Sequence, residues 1–240
     1  MKIKVMLFVL ALGFSSGYTK NSETHNVIPK KFEKILGIAG IKHINALVQT
    51  KDRGFIVVGR INSFKNGLFD TYLIKIDENG NKVWQKTFGG KSWDEANAIV
   101  PTKNDGFIVA GETNSFGNGE KDIYLIKIDK NGNKVWQKTF GGKKNDWAEA
   151  MVQTKDDGFI IVGGTGSFGN KGSAYLIKID ENGNKIWQKT FCGLDVDVAK
   201  TITQGNDSKF IISGVTFSLK SNSNGYIYLI MIDKDGNIKW

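Results

Sequence analysis

Two sets of acidic residues recur in this 240-residue chain at positions where carboxylates can do chemistry. Asp94, Asp146 and Asp197 share one column of "GGKSWDEA", "GGKKNDWAEA" and "CGLDVDVA", with Lys42 in the corresponding place of the first copy. At the mouth of a ring such a column would suit a cation or sugar hydroxyls, and Asp94 with Asp146 would be the acids of a polysaccharide hydrolase or lyase. The competing role is structural: an Asp at a loop-to-strand turn accepts local backbone N–H bonds. Acid–base pairs need two unlike environments, whereas a repeated column supplies one environment several times, so the structural role is expected.

The second set opens "DENGNKVWQKTFGG" (residues 77–90), which recurs as "DKNGNKVWQKTFGG" and "DENGNKIWQKTFCG". Its oxygen-rich start suggests a calcium loop, but an EF-hand puts acids at positions 1, 3 and 5 with Gly at 6. Here Gly80 is fourth and Lys82 follows. A hairpin is expected instead, supplied with Asn79 and Gly80 as residues that tolerate positive φ, and with a register that points Trp84 into a packing interface.

A third column lies in loops rich in Asn, Ser and Gly, "NSFKNGLFD", "NSFGNGEKD" and "GSFGNKGSA". Phe64, Phe116 and Phe168 there could form an aromatic platform for a glycan or peptide, but recurrence at a fixed offset favours packing beneath the loop. The fourth copy, "FSLKSNSNG" with Leu219, is the least regular and the best candidate for a specialised contact. Metal and nucleophile searches return little: His25 and His43 have no third ligand at metal-site spacing, and no G-x-S-x-G elbow, Walker loop or Cys pair is present. Cys192 stands where Gly90 and Gly142 stand and reads as a tolerated substitution. No cofactor is expected.

These residues must be positioned by a repeat. Trp84, Trp136, Trp187 and Trp240 lie at intervals of 51 to 53 residues, and Phe32 precedes them in step. Tyr72, Tyr124, Tyr175 and Tyr228 form a second column, and Phe55, Phe107, Phe159 and Phe210 a third. Each copy holds four candidate strands; in the second they are "ANAIVPT", "GFIVAGE", "DIYLIKID" and "NKVWQKTF". The "GFIVAGE" strand is apolar on both faces, as a strand between stacked layers must be. Four short antiparallel strands in a unit of about 52 residues that cannot bury both its faces alone describe a propeller blade. Helix should be scarce.

The run "YLIKIDENGNKVWQK" resembles the PQQ-like β-propeller repeat of quinoproteins and their non-catalytic relatives, and is similar to repeats of exported bacterial propellers of unassigned function. The resemblance spans residues 31–240 and implies an all-β propeller of four repeats in which the Trp docks on the next blade. It does not extend to quinone binding, for which the larger ring and the calcium-binding residues are not found. "KKFEKILG" aligns with "KVWQKTFG" as an extra fourth-type strand before the first blade. A compact closed ring is expected, with an open arc or a fragment of a larger propeller as alternatives.

Residues 1–17 read as an export signal: Lys2 and Lys4, the apolar run "VMLFVLALGF", then "SSG". The run is too short to span a bilayer, so no stable membrane span is expected after cleavage. Residues 18–30 are a leader and 31–240 the propeller. The formal charge of +9 drops by two when the signal is removed. Lysines spread over strands protect edges and aid solubility, and the aromatics fall in packing columns, so nucleic acid is not an expected partner. The sequence therefore predicts an exported, non-catalytic binding or scaffolding module for a protein or glycan at the cell surface or in the periplasm. An open ring would permit self-association.

Overall fold

Runs of seven or eight residues rich in Ile, Val, Tyr, Phe and Thr, cut by Asp-Asn-Gly turns, can bury side chains only by pairing as strands and stacking as sheets. The computed structural model describes residues 42–62, 68–169, 172–191, 193, 195–218 and 225–240. The signal and leader segments, Phe32, Phe64, Cys192 and Leu219 lie outside the described residues.

Four antiparallel sheets follow one another along the chain. The first is β1 (Lys42–Gln49), β2 (Phe55–Asn62), β3 (Phe69–Ile76) and β4 (Lys82–Phe88). The second is β5 (Asp94–Pro101), β6 (Phe107–Thr113), β7 (Asp122–Ile128) and β8 (Lys134–Phe140). The third is β9 (Asp146–Gln153), β10 (Phe159–Thr165), β11 (Ser173–Ile179) and β12 (Lys185–Phe191). The fourth has three strands, β13 (Asp197–Gln204), β14 (Phe210–Thr216) and β15 (Tyr226–Ile232), extended by a single bridge between Ile232 and Ile238. The helical content of the described residues is one 3-10 turn, Asn206–Ser208. Consecutive sheets pack face to face, with the inner strands β1, β5, β9 and β13 side by side. This is a β-propeller arrangement of blades.

Strand pairing assigns the faces. In the first sheet Ala46, Val48, Ile56, Val58, Leu73, Trp84 and Phe88 share the face turned to the second. They pack on Ala96, Ile99, Phe107, Val109, Tyr124, Ile126 and Ile128. The same columns fill the next two interfaces, with Trp136 and Tyr175 in one and Trp187 and Tyr228 in the other. The docking role of the Trp column is direct. A Cβ on Gly132 would stand 3.1 Å from the Trp84 indole, one on Gly183 2.9 Å from Trp136, and one on Gly236 3.1 Å from Trp187. Trp84, Trp136 and Trp187 thus each lie over the β3–β4-type hairpin of the blade that follows.

The hairpin Asp77–Asn81 uses one of its two tolerant residues: Gly80 is in the left-handed region (φ 73) and Asn79 stays outside it. Asp77 explains why, since one carboxylate oxygen accepts the N–H groups of Asn79 (2.9 Å) and Asn81 (2.7 Å) and holds the turn without a second positive φ. The expected closed ring is corrected: among the described residues the four sheets do not close. The wedge that sets one blade on the next is the fourth-strand Trp with its sheet neighbours. In the fourth sheet Trp240 O accepts the Met231 N–H at 2.8 Å, the Lys239 N–H donates to Met231 O at 2.8 Å, and the Trp240 side chain remains exposed.

Candidate functional site

The inner strands each carry one extra residue. Pairing slips between Ile44 and Ala46, between Ala96 and Ala98, opposite Val162 and Gly163, and between Ala199 and Thr201. These are β-bulges, and a bulge re-aims the side chain of its extra residue. The glycine facing each bulge is required by close approach: a Cβ on Gly59, Gly111 or Gly163 would lie within 2 Å of the facing strand's carbonyl oxygen, at 1.8, 1.9 and 1.9 Å. The re-aimed residues are Asn45, Asn97, Glu149 and Lys200.

They link blade to blade. Asn45 Nδ2 donates to Ala96 O at 2.8 Å and to Asn97 Oδ1 at 3.0 Å, Asn97 Nδ2 donates to Ala148 O at 2.8 Å, and Lys200 pairs with Glu149. At the start of the first two blades the ladder widens into a polar and aromatic cluster. The Arg60 guanidinium lies over the rings of Trp93 (4.4 Å) and Phe69 (5.0 Å), which themselves stand 4.7 Å apart. Its Nη1 pairs with buried Glu95, which also accepts Asn45 Nδ2 at 2.7 Å and Trp93 Nε1 at 3.3 Å. His43, well exposed, touches Asn45 at 2.7 Å. A carboxylate this buried is tolerated because a cation and two N–H donors compensate its lost hydration. The cluster offers an exposed imidazole and half-exposed indole, amide and guanidinium groups around one fixed negative charge.

The acidic column lies elsewhere in function. Asp94 is buried as the first residue of β5, within the strand rather than in the turn before it. Its carboxylate accepts Gly90 N–H at 2.8 Å, the Ser115 hydroxyl at 2.6 Å and the Thr113 hydroxyl. Asp146 repeats this with Gly142 N–H (2.8 Å), Ser167 (2.5 Å) and Thr165. Asp197 does so with Gly193 N–H and Ser218. Each Asp clamps the link between blades to the loop after the second strand. Thr113 Oγ1 in turn accepts the N–H groups of Ser115 and Phe116, which seats Phe116 against Tyr124 with ring centres 5.5 Å apart; Phe168 meets Tyr175 at 5.4 Å. Both Phe side chains belong to interblade clusters. Burial, and then the nearby Asp94 charge, push the Tyr124 phenol above its ordinary pKa; burial and Asp146 do the same for Tyr175. Their hydroxyls donate to Gln137 and Gln188.

The sequence reading missed the bulge ladder and Arg60. The available signal was a column that changes from Asn45 and Asn97 to Glu149 and Lys200 beside alanines and glycines that hardly change. A second feature, also missed, is a cleft of about 390 Å³ between the first two blades at the opposite strand ends, lined by Gln49, Lys75, Pro101, Phe107 and Lys130. At its edge Lys75 pairs with Asp52 of its own blade (2.6 Å), whereas the equivalent Lys127 reaches across to Glu181 O (3.0 Å) in the next interface. Among the described residues no three His, Cys, Asp or Glu side chains are grouped to hold a metal ion.

No protein-family model matches the sequence, and no curated protein matches it. Solved structures do. The acylaminoacyl peptidase of Pyrococcus horikoshii is similar over 83% of this chain and 32% of its own, with 11% identity and a TM-score of 0.50. An acylaminoacyl peptidase in complex with Z-Gly-Gly-Phe-chloromethyl ketone gives 82%, 32%, 10% and 0.50. The β-propeller domain of the Trilobed protease from Pyrococcus furiosus, titled as having an open velcro topology, gives 85%, 57%, 11% and 0.46. The likeness is one of fold alone. This chain spans about a third of the length of the first two.

Proposed function

We propose that the chain is an exported, non-catalytic β-propeller with PQQ-like repeats that serves as a binding or scaffolding module for a protein or glycan at the cell surface or in the periplasm. The observation that carries this reading is the condition of the repeated carboxylates. Asp94 and Asp146 are buried with both oxygens engaged by the blade's own donors, so neither has an oxygen to offer a substrate. The groups that do reach solvent, Arg60, Trp93, Asn45 and His43, present donors and an aromatic face around Glu95 without a second free acid to complete acid–base chemistry. In this reading the partner surface is this end of the inner strands.

The test is a glycan array and a crosslinking capture with the parent chain and with Arg60→Ala, paired with turnover assays on a polysaccharide panel. Binding that weakens at least tenfold in Arg60→Ala, with no turnover, supports the reading. Turnover that disappears in Asp94→Asn/Asp146→Asn, in a variant that still folds, overturns it.

A further inference from the structure

At the cleft between the first two blades the repeat departs from itself. The space of about 390 Å³ has Thr50, Asp52 and Lys75 on the wall of the first blade and Pro101, Phe107 and Lys130 on the wall of the second. The corresponding space in the next interface, with Lys127 on one side and Gln153, Phe159 and Glu181 on the other, is about 10 Å³. Every residue around the smaller space has its counterpart around the larger one. Phenylalanine and the first-wall lysine are common to both, whereas Asp52, Pro101 and Lys130 stand where the next interface has Asn104, Gln153 and Glu181.

The charges of the cleft do not cancel. Lys75 pairs with Asp52 at 2.6 Å within the first blade, and Lys51 pairs with Asp105 across the interface. The hydrogen bond and charge of Lys51 hold the Asp105 carboxyl below its ordinary pKa, and Lys130 adds to the same field. Lys130 has no ion pair of its own among the described residues, so one ammonium is left beyond two matched pairs. In the next interface Lys103 pairs with Asp157 at 2.6 Å, and the place of Lys130 is taken by an acid, Glu181. Around the surplus ammonium the lining is apolar: exposed Pro101, buried Phe107 beneath it, and the methylene stem of Lys75. An apolar lining with a few placed polar groups, in a space above about 300 Å³, is the make-up of a small-molecule site.

We propose that this cleft binds a small organic monoanion with a flat apolar body, an aromatic carboxylate, whose ring lies against Pro101 and Phe107 and whose carboxylate meets the Lys130 ammonium. A charge-assisted hydrogen bond holds one end of the ligand, and removal of apolar surface from water holds the other. The site lies at the opposite strand ends from the Arg60 cluster and is independent of any partner bound there.

Calorimetric titration and ligand-observed NMR of the purified chain test this, with benzoate, indole-3-carboxylate and naphthalene-2-carboxylate each set beside its uncharged carboxamide. The parent is expected to bind at least one carboxylate about tenfold more tightly than the matching carboxamide, with magnetisation transfer between the ligand ring and Phe107. Lys130→Glu should lose that preference while keeping the parent's unfolding midpoint, since Glu78 and Glu181 already occupy the same hairpin position. Pro101→Gln/Lys130→Glu, which gives the cleft two residues of the next interface, should abolish binding. Lys134→Glu, an equal change of charge outside the cleft, should bind as the parent does. No binding of any of these carboxylates up to their solubility limits overturns the proposal, as does equal affinity for carboxylates and carboxamides. Binding that is unchanged in Lys130→Glu, or that falls as far in Lys134→Glu, overturns it as well.

Discussion

The indole of Trp84 lies 3.1 Å from the point where a Cβ on Gly132 would stand, although the two residues belong to different blades. Gly132 also sits at φ 76, a conformation that costs an L side chain strain. Gly132→Ala therefore combines backbone strain with a displaced tryptophan. We expect a loss of about 1–3 kcal/mol in urea unfolding, with a change in tryptophan emission that reports Trp84. An unaltered midpoint and spectrum would remove the docking role assigned to this pair.

Asp146 holds three donors in a buried clamp, so Asp146→Ala leaves the Thr165 and Ser167 hydroxyls and the Gly142 N–H without their acceptor. The expected cost is about 2–4 kcal/mol. Asp146→Asn, which keeps one acceptor oxygen, should lose less. Equal midpoints for the two variants would show that the clamp contributes little.

Arg60 is expected to resist replacement by lysine. Its planar guanidinium lies over both Trp93 and Phe69 while pairing with Glu95, and a compact ammonium cannot serve both rings and the carboxylate. Arg60→Lys should cost about 1 kcal/mol, and Arg60→Ala about 2–3 kcal/mol, since Glu95 then stays buried with fewer partners. Calorimetric midpoints in the order parent, Lys, Ala check this; Lys and Ala falling together would show that stacking, not charge, dominates.

Stability should fall on acidification in a window set by Asp52. The hydrogen bond from the Lys75 ammonium, assisted by the Thr50 hydroxyl, holds its carboxyl down from the ordinary 3.8 to about 2. A depressed carboxylate contributes its stabilisation fully above its unfolded value and loses it as pH falls through the folded one. The window therefore runs from just above pH 4 down to about 2. Asp52 is well exposed, so solvent screening keeps the effect to under about 1 kcal/mol. Urea midpoints measured from pH 5 to 2 should decline less steeply for Asp52→Asn than for the parent.

The columns that specify the fold were legible because they repeat. Trp84, Trp136 and Trp187, Tyr124, Tyr175 and Tyr228, and Phe107, Phe159 and Phe210 lie in the interfaces between successive sheets, and Phe107 with Val109 and Ile108 with Ala110 divide between two faces as alternation requires. What was not legible depends on register breaks and on side chains that meet across blades. Asn45 reaches Asn97 only because each inner strand bulges at that residue, and a period-two reading places no extra residue there. Arg60 meets Trp93 across an interface, between residues that no spacing in the sequence associates. Residue preference marks both Asn79 and Gly80 as tolerant of positive φ but does not say which uses it; Gly80 does, and the Asp77 carboxylate holds the Asn79 N–H. Ring closure depends on the step between sheets, which no strand pattern encodes.

Because Trp84, Trp136 and Trp187 are each housed against the hairpin of the following blade, the segment that melts together is offset from the sequence repeat. Trp84 of β4 is covered by the β7–β8 hairpin while its strand is held by β3, and loosening the fourth sheet uncovers Trp187 before any ladder of the third is broken. Amide exchange should therefore descend in steps from the middle blades toward the ends. A chain cut at a repeat boundary would strand an aromatic at its new end, whereas a cut displaced by one hairpin would keep each tryptophan with its cover.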